Sequence, residues 1–177
     1  MIDDGLAVTA AHVVAGATDV RVVDGEGAEH DAQVVWFDPD LDLAVLRTDR
    51  DIGVPLRVTQ PAVSGDIGVV ARRSDHTDAT ALILSDVRVI RTVDIETTDI
   101  YLDREVTRPG FEVDAAITPG DSGAVVVLPG GIVGGMLWAR SNERPERAWA
   151  IDLPTELGDA ELRAGLDIPV AVGACAG

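Results

Sequence analysis

Short apolar runs rich in Val and Ile recur along nearly the whole chain, with Gly, Pro and Asp marking the breaks. LAVT (6–9), DVRVV (19–23), AQVVWF (32–37) and LAVLRT (43–48) come first. IGVVAR (67–72), ALILSDVRVI (81–90), DIYLD (99–103) and FEVDAAI (111–117) follow, then AVVVL (124–128), IVGGMLWA (132–139) and RAWAID (147–152). β-Branched runs broken at intervals of about 8–12 residues predict an all-β sandwich or barrel. No long helical pattern alternates with these strands, which argues against a parallel α/β sheet. Two short helices are predicted. AAHVVAG (10–16) reads as a single turn after the first strand. PTELGDAELRAGL (154–166) has Pro at its start, acids in its first turns and leucines at 157, 162 and 166, and is expected to pack outside the second lobe.

The stretch PLRVTQPAVSGD (55–66) holds two prolines and a glycine and marks a division. It predicts an N-terminal lobe over 1–58, a C-terminal lobe over 66–153, and a helix and tail over 154–177, all within one domain of 177 residues. With 46% hydrophobic and 25% charged residues, the chain can build a sizeable core. Its net charge of −17 argues against nucleic acid and against an anionic membrane surface, both of which would be repelled. Every basic residue is Arg; there is no Lys. No apolar run reaches the roughly 18 residues needed to span a bilayer. The start MIDDG does not read as a signal peptide, so membrane contact is expected only through an anchor absent from this chain. The lone Cys175 is either a free thiol or half of a disulfide whose partner is not in this sequence. No metal-ligand spacing and no phosphate-cradling glycine loop is present, so no cofactor is expected. His30 and His76 fall in polar turns and are expected to be solvated.

Three stretches carry candidate chemistry. In VTAAHVV (8–14), His12 follows an apolar strand; a lone histidine there is ordinarily structural, but Ala10 and Ala11 leave room for close approach. In FDPDLDLAVLRT (37–48), Asp38 and Asp40 read as turn caps or solvated acids. Alternation puts Asp42 beside the buried face, where a carboxylate needs a partner such as a histidine N–H. In ITPGDSGAVVV (117–127), Pro119 and Gly120 make a tight turn before Asp121 and Ser122. The N–H groups of Gly120 and Ser122 are placed to face one concavity, where such donors stabilise an oxyanion. Asp121 is expected to bond to backbone or to a buried amine near the serine.

Together these stretches supply base, orienting carboxylate and nucleophile in the chain order His, Asp, Ser, which is the chymotrypsin-like order. TAAH, DLAVL and GDSG resemble the three active-site signatures of the trypsin/chymotrypsin-like serine proteases. The longer runs VVWFDPDLDLAVLRT and TPGDSGAVVVLPGGIVGGMLWA are similar to bacterial, particularly actinobacterial, envelope proteases of this family, and more distantly to HtrA-type proteases. The resemblance covers about 5–153. It implies an all-β fold of two antiparallel six-stranded β-barrels, a polypeptide substrate, an envelope or secreted location, and His12, Asp42 and Ser122 as the triad. The oxyanion donors would be Gly120 and Ser122. By the same resemblance Ala116 lies at the base of the specificity pocket, and Leu137, Trp138 and Ala139 pair with the peptide or line its wall. None is acidic, so small to medium apolar residues are expected at the cleavage position. Trp36 and Trp149 are expected to be core filler.

The family usually carries a Gly-x-Gly-hydrophobic strand before TAAH, and here only MIDDG precedes it. The first barrel is therefore expected to lack one or two N-terminal strands, as in a chain truncated upstream. That feature motivates a rival reading, a catalytically inactive protease-fold binding or scaffold protein. An esterase on an unrelated fold is a second rival, but its Gly-x-Ser-x-Gly elbow would need Gly where Ala124 stands.

Overall fold

The computed structural model describes residues 1–73, 82–157 and 166–176. The chain divides into two compact units. One unit comprises Met1–Leu56, Glu96–Thr107 and the C-terminal tail; the other runs through Arg57–Ile95 and from Arg108 into the second helix. The division does not follow chain order, because the tip of a long hairpin groups with the N-terminal residues.

In the first unit, β1 (Leu6–Thr9), β2 (Val20–Val23), β3 (Glu29–Asp38) and β4 (Leu43–Thr48) form a four-stranded antiparallel sheet in the order β1-β4-β3-β2. The single-turn helix α1 (Ala11–Val14) follows β1, as the sequence predicts. Ala11, Val14, Val34, Ala44, Leu46 and Ile100 bury together. The C-terminal tail lies over this core. Val170 N–H donates to Val34 O at 2.8 Å, and Arg47 Nε donates to Leu166 O at 3.0 Å. A Cβ on Gly16 would stand 2.6 Å from Cys175 Sγ, so only glycine lets the tail settle there. Cys175 is a free, exposed thiol.

In the second unit, β5 (Ile67–Arg73), β6 (Leu82–Thr98), β7 (Glu105–Asp114), β8 (Val125–Leu128), β9 (Ile132–Arg140) and β10 (Arg147–Ile151) close into a six-stranded barrel in the order β10-β7-β6-β5-β8-β9. Inward positions Val70, Val87, Val89, Phe111, Val113, Val126 and Leu137 fill it. On β9, a Cβ at Gly135 would meet Ile151 O at 2.4 Å and the Phe111 ring at 2.6 Å, so glycine sets how tightly the barrel packs. The helix α2 (Leu153–Leu157) buries Leu153 and Leu157, and the rest of the predicted 154–166 helix lies largely outside the described residues.

Three expectations change. Residues 99–103 are a turn, not a strand. The Asp99 carboxylate accepts the N–H groups of Tyr101 and Asp103, each at 3.0 Å, and Leu102 sits at φ 62°. The strand expected over 111–117 begins earlier, at Glu105, and ends at Asp114. His30 is not solvated: its Nε2 lies 2.8 Å from Asp24 Oδ2, with only 11% of the side chain exposed. His76 lies outside the described residues. Among the described residues, no helix is long and apolar enough to cross a membrane.

Candidate active site

The candidate base and its orienting acid belong to the first unit. The turn before β4 is built by Asp38, whose Oδ1 accepts the N–H groups of Asp40 and Leu41 at 2.9 and 3.0 Å. Asp40 itself pairs with Arg104. The turn ends with Asp42 at φ 57°, a left-handed conformation that non-glycine residues seldom hold. That backbone aims Asp42 at the start of α1. Asp42 O accepts the Ala11 N–H at 3.1 Å, and Asp42 Oδ1 accepts the His12 N–H at 2.9 Å. The His12 ring completes the set, with Nδ1 at 2.8 and 3.0 Å from the two carboxylate oxygens. α1 has no side-chain cap of its own, so Asp42 serves in that place from a different segment. The Asp42 side chain is 4% exposed and that of His12 33% exposed. A carboxylate facing Nδ1 fixes the tautomer: Nδ1 carries the proton and Nε2 keeps its lone pair.

The candidate nucleophile belongs to the second unit, on the loop from β7 to β8. Two consecutive turns shape this loop. Asp121 N–H donates to Thr118 O at 3.1 Å, with Pro119 and Gly120 between, and Gly120 has φ 101°. Pro second and a positive-φ glycine third are what a type II turn requires. Ala124 N–H then donates to Asp121 O at 3.0 Å around Ser122 and Gly123, with Gly123 at φ 90°. The loop is tied to β9 by Gly123 N–H to Leu137 O at 2.9 Å and Leu137 N–H to Ala124 O at 2.8 Å. The N–H groups of Asp121, Gly123 and Ala124 are thus used. Those of Gly120 and Ser122 find no acceptor among the described residues.

Asp121 is 4% exposed. Its Oδ2 accepts Thr118 N–H at 2.7 Å and Thr118 Oγ1 at 3.1 Å, and pairs with Arg72 Nη1 at 2.9 Å. The expected buried amine is therefore a guanidinium from β5. Sequence reasoning had no means of choosing Arg72, which lies 49 positions upstream.

A concavity of about 250 Å³ in the second unit is lined by Thr118, Pro119, Ser122, Trp138, Ala139 and Arg140, with Ile117 and Asn142. Three predicted residues, Ser122, Trp138 and Ala139, thus share one cavity. The other two do not. Leu137 is fully buried in the barrel core, and both its backbone groups hold the serine loop. Ala116 lies at a neighbouring concavity of about 230 Å³ that includes Arg72 and Asp114. The Trp138 wall has a backing that the sequence did not suggest: the buried Arg108 stacks its guanidinium 4.5 Å from the ring centroid. A larger concavity of about 570 Å³ lies in the first unit between the ends of β6 and β7, at Glu96–Thr98 and Glu105–Thr107. It holds none of the His, Asp or Ser chemistry, and volume alone does not make it the site. Among the described residues, no cluster of three or more His, Cys, Asp or Glu is placed to hold a metal ion.

Comparison with known proteins agrees with the fold. Serine protease Rv3671c of Mycobacterium tuberculosis is 31% identical over 169 residues, covering 94% of this chain and 41% of that protein. A probable periplasmic serine endoprotease DegP-like of Halomonas elongata is 30% identical over 173 residues, covering 90% and 33%. The chain therefore spans well under half the length of these relatives. A crystal structure of the Rv3671c protease from M. tuberculosis in its active form matches with a TM-score of 0.84 at 28% identity, covering 98% of this chain and 75% of that one.

Fold and comparisons together place the domain in the chymotrypsin-like all-β class. The chain belongs to the trypsin-like peptidase domain family, whose model matches residues 1–136.

Proposed function

We propose that residues 1–177 form one peptidase domain that hydrolyses peptide bonds through an acyl-enzyme, with His12, Asp42 and Ser122 as its triad. Ser122 Oγ attacks the scissile carbonyl carbon, and His12 Nε2 takes the hydroxyl proton. The oxyanion of the tetrahedral intermediate is received by the Gly120 and Ser122 N–H groups. Collapse expels the amine, which takes the proton from His12 and leaves an ester on Ser122. Water, deprotonated by the same imidazole, then hydrolyses the ester and frees the serine. Asp42 holds the tautomer and stabilises the imidazolium formed at each step.

The observation that carries this reading is the contact of His12 Nδ1 with both oxygens of the buried Asp42. It leaves Nε2 as the base and gives the resulting cation a counter-charge. The two N–H groups without acceptors beside Ser122 support the oxyanion assignment. The cavity beside Ser122 is below the roughly 300–1,000 Å³ of drug-sized sites, and among the described residues its lining has no acid to bind Lys or Arg. We read it as accepting one small to medium apolar side chain of a polypeptide substrate. The periplasmic relative supports an envelope or secreted location. Nothing observed favours an inactive scaffold, since the matched relatives are named as proteases.

Intact mass after fluorophosphonate treatment, followed by digestion of a peptide library, tests the reading. We expect one adduct per chain and cleavage after residues such as Ala, Val or Leu, both lost in Ser122→Ala. A folded wild-type chain that takes no adduct would sink the catalytic assignment. Cleavage dominated by Arg or Lys would sink the pocket assignment alone.

A further inference from the structure

We propose that Arg140 selects the substrate of the Ser122 cavity by receiving the carboxylate of an Asp or Glu side chain that flanks the cleaved bond. This deepens the reading of Ser122 as nucleophile and rests on it.

The chain has 31 acidic residues against 14 basic ones, so a guanidinium on its surface has many acids to meet. Arg21, Arg47, Arg72, Arg91 and Arg104 each pair with a carboxylate. Arg140 does not. Exposed at the end of β9, its side chain makes no hydrogen bond and no ion pair among the described residues. The acids nearest it in sequence, Glu143 and Glu146, are exposed and form no ion pair with it. Arg144 and Arg147, just beyond, turn instead toward Glu112, at 3.8 and 4.0 Å. Yet Arg140 is, among the described residues, the one charged side chain in the wall of the cavity that holds Ser122.

The backbone brings a substrate side chain within its reach. β10 pairs with β9 as far as Arg140, whereas the β8 register stops at Met136. Leu137 uses its N–H and C=O to hold the serine loop. The β8 side of Trp138–Arg140 is thus an unpaired strand edge among the described residues. An extended peptide laid along such an edge advances about 3.3 Å per residue. One of its side chains enters the cavity while a near neighbour passes the Arg140 guanidinium, whose planar fork matches a carboxylate. Trp138 adds to the selection. Its Nε1 is buried without an acceptor among the described residues, so the ring is held by packing and by the buried Arg108, 4.5 Å from its centroid. A ring already engaged with one cation is a poor host for a Lys or Arg of the substrate. The net charge of −17 repels an acidic peptide at a distance. Salt screens that repulsion beyond roughly 8 Å, and contact at Arg140 then decides.

The test is competition between peptides in one digest. Each carries Ala at the cleaved bond, and a Glu, Gln or Lys is walked through the flanking positions on both sides. All are amidated, so that the terminal charge is absent. The readout is the ratio of kcat/KM between peptides, in which any general loss of activity in a variant cancels. Wild type is expected to favour Glu over Gln about tenfold at one flanking position, between the worth of an exposed ion pair and of a hydrogen bond to a charged group. Arg140→Gln brings that ratio to within about twofold of unity, and Arg140→Glu reverses it so that Lys is favoured over Gln. A wild type that cuts the Glu and Gln peptides equally at every position overturns the proposal. So does an acid preference that survives Arg140→Gln, or one that appears only when the peptide ends in a free carboxylate. A folded wild type that cuts none of the peptides and takes no fluorophosphonate adduct overturns the nucleophile reading itself, a separate result from cutting all of them alike.

Discussion

Asp42 combines a backbone torsion, a helix cap and a tautomer lock in one side chain. Its φ of 57° is unfavourable for a residue with a Cβ, yet it lets one carboxylate reach both the amide and the ring of His12. Asp42→Asn keeps an acceptor for the amide but presents an NH₂ or an uncharged oxygen to Nδ1. The imidazole then favours its other tautomer, with the proton on Nε2. We expect kcat to fall by about 10⁴-fold with little change in the melting profile, read from steady-state kinetics beside a thermal melt. The triad candidates were legible because their chemistry demands given residue types in short contiguous motifs. Arg72 and Arg108 were not, since a cation that meets its partner across a barrel leaves no local pattern. The tie of Leu137 to the serine loop was not legible for a related reason: strand alternation says which residues are buried, but not which loop their backbone holds.

The hairpin of β6 and β7 shows where elements were misread. DIYLD alternates like a strand, and Ile100 is indeed buried, but Asp99 gathers the chain into a turn. EVTRPG (105–110) lies outside the expected strands, yet it is strand, with Arg108 buried. The Asp99 turn also sets a pH dependence. Burial acts to raise the Asp99 pKa, but two backbone N–H donors and Arg104, 3.4 Å away, outweigh it and hold the carboxyl below its ordinary value. A carboxyl depressed in the folded state stabilises the protein above its unfolded pKa of about 3.9, and that contribution is lost as pH falls through the folded value. Asp99→Asn should therefore melt below wild type at pH 7, with the gap closing as the pH is lowered below about 4. A gap that stays constant from pH 7 to pH 3 would rule out a charge contribution.

At the scale of the whole molecule, the all-β class, most strand positions and the family were readable, because period-two apolar runs and punctuating turns are local signals. The discontinuity of the first unit was not, because it depends on which distant segment covers an apolar face. Arg47 and Leu166, 119 positions apart, meet there, and the Val172 and Ala176 side chains join the core of Ala11, Val34 and Leu46. A chain ending at residue 165 should lose amide protection in β3 and β4 while β8 and β9 keep theirs, as read by hydrogen exchange. Equal protection in both would show that the tail adds nothing. During synthesis on a ribosome, every strand of the serine-bearing barrel emerges before the last cover of the histidine-bearing sheet. The two halves of the proposed triad therefore mature at different times, and for the seconds between them a newborn chain holds a finished nucleophile loop without a finished base.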